Sequence, residues 1–154
     1  MYASISRNTK EIKYVLNNLC DDTVLELVKL FGNGYKFKTF CLIRALNKKY
    51  IIKLKHTNEP VGLFGLIPQS NNTAGIFLLT TDNLHKGNLI TFLRSAKRQI
   101  EDWQSEYKLI MDSCYKKNET IKKWLRLLGF KASVYQDDDF QVYYKGDIGL
   151  YNND

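Results

Sequence analysis

Cys114, Tyr115, Asp112, His56 and Glu59 are side chains of types that suit nucleophilic attack or proton transfer. Cys114 beside Tyr115 could be a nucleophile, but a thiol needs a base and a group to orient that base. No His–Asp set accompanies it, so a core role is expected. Asp112 lies mid-strand among apolar residues, and a carboxylate buried there has to be paired. A backbone amide or a lysine is the expected partner. His56 closes an exposed alternation and reads as structural. Glu59 sits in the turn Thr57-Asn58-Glu59-Pro60, where turn chemistry accounts for it. Cys20, Cys41 and Cys114 fall at unrelated spacings that match no metal or disulfide pattern. Each reads as a small buried hydrophobe in a reducing compartment.

The elements that must position these groups centre on residues 75–130. An apolar strand (75–81), a polar loop (82–88), a long helix (89–107), a second strand (108–115) and a short helix (118–128) follow one another. Leu89, Leu93, Ala96, Ile100, Trp103 and Tyr107 form one apolar stripe, and Ile121, Trp124, Leu125 and Leu128 form another. Asn118 suits the N-cap of the short helix, Gly129 the left-handed position after it, and Phe130 the apolar contact that follows. Short connections in this order predict parallel strands with a right-handed crossover.

Ahead of that stretch, residues 2–6 alternate weakly as a first strand. Ile12, Val15, Leu16 and Leu19 mark a helix over 9–19. Asp21 or Asp22 would cap a second helix, with Val24, Leu25, Val28 and Phe31 as its apolar face and Gly32-Asn33-Gly34 as its stop. Residues 35–47 read as a third helix. Residues 50–56 alternate as a strand with one buried face, and 61–67 are a nearly continuous apolar strand. Gly62 and Gly65 inside it imply bulges or close backbone packing. Residues 132–136 and 140–145 make a last hairpin around Asp137-Asp138-Asp139, and the tail from 146 is expected to be loosely held.

With 154 residues, 44% hydrophobic and 13% aromatic, the chain reads as one folded α/β domain spanning 1–154. No apolar run reaches membrane-span length, and Met1-Tyr2-Ala3-Ser4 lacks a signal-peptide pattern. The protein is expected to stay where it is made or to be packaged from there. A net charge of +7 favours anionic partners. Arg94, Lys97, Arg98, Lys116, Lys117, Lys122, Lys123, Arg126 and Lys131 lie in or beside the two helices of the central stretch. Asp137, Asp138, Asp139, Asp147 and Asp154 make the C-terminal end acidic. A solvated helix face accounts for the basic residues, and nucleic-acid contact is the alternative. The aromatic residues sit on apolar stripes, so they read as core and not as base-stacking platforms.

This order of elements resembles the GNAT (Gcn5-related N-acetyltransferase) fold over essentially the whole chain. The segment from Asn118 to Leu128-Gly129-Phe130 carries the most specific part of the likeness. A closer likeness is to the small GNAT-like internal virion proteins of short-tailed bacteriophages. Pro60-Val61-Gly62-Leu63-Phe64-Gly65, Phe77-Leu78-Leu79-Thr80-Thr81-Asp82-Asn83-Leu84 and Phe92-Leu93-Arg94-Ser95-Ala96-Lys97-Arg98 carry it. The resemblance implies a single α/β domain with a mixed sheet of six to seven strands flanked by four to five helices. Its parts would be a helical half (1–49), antiparallel strands (50–81), a loop–helix–strand–helix unit (82–130), a hairpin (131–145) and a tail (146–154).

The resemblance also implies where acetyl-CoA would lie if the protein is an active enzyme: along Leu79, Thr80 and Thr81, then Lys86, Gly87 and Asn88, with Asn118 near the pantetheine. GNAT enzymes hold the pyrophosphate on loop amides and a helix N-terminus, within an Arg/Gln-x-x-Gly-x-Gly/Ala signature. Here the segment is His85-Lys86-Gly87-Asn88-Leu89-Ile90-Thr91. Leu89 and Thr91 replace glycines, and their Cβ atoms would crowd a phosphate. The tyrosine that protonates the departing thiolate in many GNAT enzymes aligns with Leu125, beside Trp124, and leucine cannot donate a proton. Tyr115 or a water could substitute. Glu59, His56 and Asp112 are the candidate bases, Asn118 is explained equally by capping, and no metal is called for. The expectation is a degenerate GNAT-like phage protein of the virion and host cytoplasm, acting through contacts with portal or internal core proteins. An active acetyl-CoA-dependent N-acetyltransferase and an accessory DNA-contacting protein are the alternatives.

Overall fold

A run of apolar residues with few side chains that favour water folds as a strand covered on both faces. That is how the centre of this protein is built. The computed structural model describes residues 2–5 and 9–152. β3 (Pro60–Pro68) and β4 (Thr73–Thr80) pair antiparallel, with Leu63 opposite Leu79 and Phe64 opposite Leu78. Successive side chains point to opposite faces. Leu63 and Leu79 therefore join one core and Phe64 and Leu78 another.

The first core lies under α1 (Thr9–Asn17), α2 (Asp21–Phe31) and α3 (Tyr35–Ala45), through Ile12, Val15, Leu16, Leu27 and Ile43. The second lies under α4 (Leu89–Gln104) and α5 (Glu119–Leu127), through Phe92, Ile100, Trp103, Ile121 and Leu125. The sheet is completed by β1 (Tyr2–Ile5), β2 (Lys49–Lys53), β5 (Leu109–Tyr115), β6 (Lys131–Gln136) and β7 (Phe140–Gly146). Its seven strands run in the order β1-β2-β3-β4-β5-β7-β6. Every neighbouring pair is antiparallel except β4–β5, which is parallel as expected of a crossover.

The fold class stands as expected, and four local readings change. β2 stops at Lys53, and Ile51 and Ile52 are both buried, so it is covered on two faces instead of one. His56 consequently lies in the turn beyond the strand. Gly65 needs to be glycine because β3 is packed tightly there: a Cβ would lie 2.5 Å from the Phe77 ring and 2.7 Å from the Lys48 carbonyl. The tail beyond Gly146 is not loose as far as residue 152. Ile148, Leu150 and Tyr151 pack on Leu109, Met111 and Val142, and the Tyr151 ring lies tilted against Tyr135 with centroids 4.5 Å apart. Ser6, at the end of the expected first strand, and Asp154 lie outside the described residues. Cys41 is exposed on α3, whereas Cys20 and Cys114 are buried as expected.

The fourth change concerns α2, and it bears on the site. The expected apolar face included Leu25 and Val28, which are 54% and 38% exposed. The helix instead buries Thr23, Glu26 and Leu27, with Val24 and Phe31 partly covered. Neither aspartate caps it: Cys20 holds the N-cap position without a side-chain bond to the helix amides, and Asp22 reaches across to α5. The Glu26 carboxylate can be buried there because the Tyr115 amide and Asn118 replace the hydrogen bonds that water would otherwise donate.

Candidate functional site

The parallel pairing of β4 with β5 is short. Only Thr73, Ala74 and Gly75 pair with Leu109, Ile110 and Met111, after which the strands part. Parting strands leave backbone groups without a ladder partner, and each must be satisfied another way. α2 does this from one side. The Tyr115 amide donates to Glu26 Oε1 at 2.7 Å, and Asn118 Nδ2 donates to Glu26 Oε2 at 3.3 Å. One turn earlier, Asp22 Oδ2 accepts from Thr120 Oγ1 at 2.9 Å and from the Thr120 amide at 3.3 Å. Two carboxylates of α2 thus clamp the junction of β5 and α5.

Asp112 shares the gap. Among the described residues no lysine or amide pairs with it, contrary to expectation; the charged group acting on it is Glu26. Burial, and then the neighbouring Glu26, holds the Asp112 carboxyl well above its ordinary range. Burial also raises Glu26, against the lowering effect of its bonds to Tyr115 and Asn118. Cys114 beside them is fully buried, and burial followed by the two acids pushes its thiol up, so it is a core residue and not a nucleophile.

Two cavities adjoin the elements around this gap, and a third lies apart from it at the start of α4. The first, about 290 Å³, lies between the end of β4 and the facing sides of α4 and α5, with Thr80, Thr81, Leu89, Leu93, Trp124 and Cys20 in its wall. Asp82, His85 and Lys123 are its charged or titratable groups. The second, about 210 Å³, opens between α2 and α3 and reaches Asp112, Glu26 and Ile121 through the gap. The third, about 550 Å³, sits at the N-terminus of α4 and is lined by Lys55, His56, Thr57, Lys86, Gly87 and Asn88. Cationic side chains together with a helix N-terminus make that last position favourable for an anion.

The residues singled out in the sequence therefore fall into separate places. Lys86, Gly87 and Asn88 meet His56 at the third cavity, where the Asn88 side chain already accepts from the Thr91 amide at 3.1 Å. Thr80 and Thr81 line the first, while Leu79 is buried in the core under α1–α3. Asn118 is 1% exposed and both its polar atoms are engaged: Oδ1 accepts from the Ile121 amide at 3.1 Å, and Nδ2 donates to Glu26. Leu125 is buried, and Trp124 beside it faces the first cavity. Tyr115 packs on Phe140. Among the described residues no tyrosine lines the first or second cavity.

Glu59 accepts from Tyr14 Oη at 2.8 Å and from Asn83 Nδ2 at 3.2 Å, which ties α1 to the 3-10 turn Asp82–Lys86. Glu26 escaped the sequence reading. It is the one acidic residue between Thr23 and Asn58, which is the signal that could have drawn notice to it.

The fold is that of the GNAT acetyltransferases. A GNAT-family acetyltransferase from Bacillus anthracis superposes with a TM-score of 0.62 at 15% identity, over 89% of this chain and 88% of that one. An acetyltransferase from Streptococcus agalactiae gives 0.66 at 16% identity, over 95% and 98%. The microcin C7 self-immunity acetyltransferase MccE, solved with acetyl-CoA and AMP, gives 0.60 at 15%, over 90% and 87%. No protein-family model matches the sequence, and no curated protein matches it. Identities this low establish the architecture and leave its use to the site.

Proposed function

We propose that the chain is a bacteriophage virion or virion-assembly protein that uses an acetyltransferase fold as a contact scaffold, with acyl transfer lost. The observation that carries this reading is the clamp of α2 across the parted strands. Glu26 occupies both the Tyr115 amide and the Asn118 carboxamide, so the asparagine that the resemblance places near a pantetheine is already engaged within the protein. Leu125 supplies no proton, and among the described residues neither adjoining cavity offers a phenol in its place. The virion role draws on the likeness of Pro60–Gly65, Phe77–Leu84 and Phe92–Arg98 to small phage proteins of this fold. Leu25, Val28, Leu30 and Phe37, exposed on α2 and α3, provide apolar surface for protein contacts.

A second reading is an active acetyl-CoA-dependent N-acetyltransferase. The cavity between α4 and α5, together with the cationic one beside Lys86, favours it. Isothermal titration with acetyl-CoA and CoA separates the two. No heat at millimolar cofactor supports the scaffold. Micromolar binding that Lys86→Glu or Gly87→Trp abolishes would overturn it in favour of the enzyme. Mass spectrometry of purified particles then tests the virion role, which fails if the chain is absent both there and from assembly intermediates.

A further inference from the structure

α3 is covered on one side only, and its sides are partly inverted. Its one neutral polar side chain, Thr39, is turned inward and 2% exposed, with no hydrogen-bond partner for Oγ1 among the described residues. Buried hydroxyls are rarely left so. Phe37 is turned outward and 72% exposed, and Leu42 is 40% exposed. A helix that is apolar all round normally has protein or lipid on every side. Local rules broken in this way mark functional surfaces.

The polar residues left on the outer side are cations. Lys36 and Lys38 adjoin Phe37 in sequence. One turn beyond, Lys13 of α1 and Arg44 lie over the Phe40 ring, 5.3 and 5.8 Å from its centroid. Phe37, Phe40 and Arg44 recur at three and four residues, so they share one face of the helix. No aspartate or glutamate occurs between Glu26 and Glu59, a stretch that holds eight lysines and arginines. The face therefore combines apolar side chains with unopposed positive charge.

We propose that the outer face of α3 binds the surface of an anionic lipid bilayer. Phe37 enters the boundary between headgroups and acyl chains, and Lys36, Lys13 and Arg44 meet the lipid phosphates. Among the described residues no helix is long and apolar enough to cross a membrane, so the contact is interfacial. Nucleic acid would match the cations but offers no apolar surface to Leu42, or to Leu30, 49% exposed near the turn between α2 and α3. A folded partner would need a preformed acidic pocket for a ring that projects this far. A bilayer supplies negative charge and apolar depth in one layer.

The inference goes beyond the scaffold reading: it gives the α3 side of the exposed surface to lipid and leaves Leu25 and Val28 of α2 to protein. A chain that ignores vesicles can still be a virion scaffold, so the two fail separately. The full chain, without CoA, is sedimented with vesicles of phosphatidylcholine and with vesicles that also contain phosphatidylglycerol. Expected is about tenfold stronger binding to the anionic vesicles, weakened by salt. Phe37→Ser, and separately Lys36→Glu with Arg44→Glu, should each reduce it about fivefold. Phe37→Trp should shift its fluorescence to the blue with anionic vesicles only. Trp103 and Trp124 are 3% and 8% exposed, so the shift reports position 37. Equal binding to neutral vesicles, no binding to anionic ones, or undiminished binding by Phe37→Ser would overturn the inference. So would a Phe37→Trp emission that shifts with duplex DNA or polyglutamate and not with vesicles, which would assign the face to nucleic acid or to an acidic protein.

Discussion

Replacing Asp112 by asparagine should change how stability depends on pH more than it changes the fold. In the unfolded chain both Asp112 and Glu26 ionise at ordinary carboxylate values near 4. In the folded protein both are raised by burial, Asp112 the more strongly because the nearby Glu26 raises it further. The sign follows directly. Below about pH 4 both states are protonated and no penalty exists. As pH rises through the window between unfolded and folded values, the folded state retains protons that the unfolded state has released, so stability falls. The loss is complete above the folded values. One group in mid-window contributes a slope of at most about 1.4 kcal/mol per pH unit. Asp112→Asn removes the larger share. Urea unfolding of wild type and variant at half-unit steps from pH 4.5 to 8 reads this as a stability difference that grows in the variant's favour with pH. Parallel curves for the two proteins would refute the assignment of Asp112 as a half-buried, strongly raised acid.

Three further outcomes test other parts of the structure. Gly65→Ala should destabilise by about 1–3 kcal/mol in denaturant unfolding, because its Cβ would lie 2.5 Å from the Phe77 ring and the Lys48 backbone cannot move aside. Asn118→Ala removes the α5 cap and one donor to Glu26, and should cost about 2 kcal/mol in the same assay. A loss below half that value would mean that the cap is dispensable. Trp103→Ala should cost about 3–5 kcal/mol, since the ring is buried against Phe64 at 5.1 Å and no neighbour can fill its volume.

Much of the architecture was legible in local pattern. The stripes of α4 and α5, the strand on either side of α4, the cap at Asn118 and the turn at Gly129 each follow from interactions within one or two helical turns. A short window of sequence carries that information. The basic residue before Gly87, the missing glycines at Leu89 and Thr91, and leucine at position 125 were readable in the same way, because each is a question of residue type at a fixed offset.

The content of the gap between β4 and β5 was not legible. Periodicity placed Leu25 and Val28 of α2 inward, yet Glu26 is the residue that enters the gap. The donors that stabilise it, the Tyr115 amide and Asn118, are about ninety positions away in the chain. Asp112 looked like a carboxylate in need of a lysine, and its neighbour is a second acid from the other end of the chain. Thr39 gave no sign of being an unsatisfied hydroxyl. Local sequence sets what a segment can become through its own hydrogen bonds and apolar period. Which polar group is buried, beside which partner and facing which cavity, is decided only when distant segments pack, because the free energy of burying a charge depends on what lies next to it.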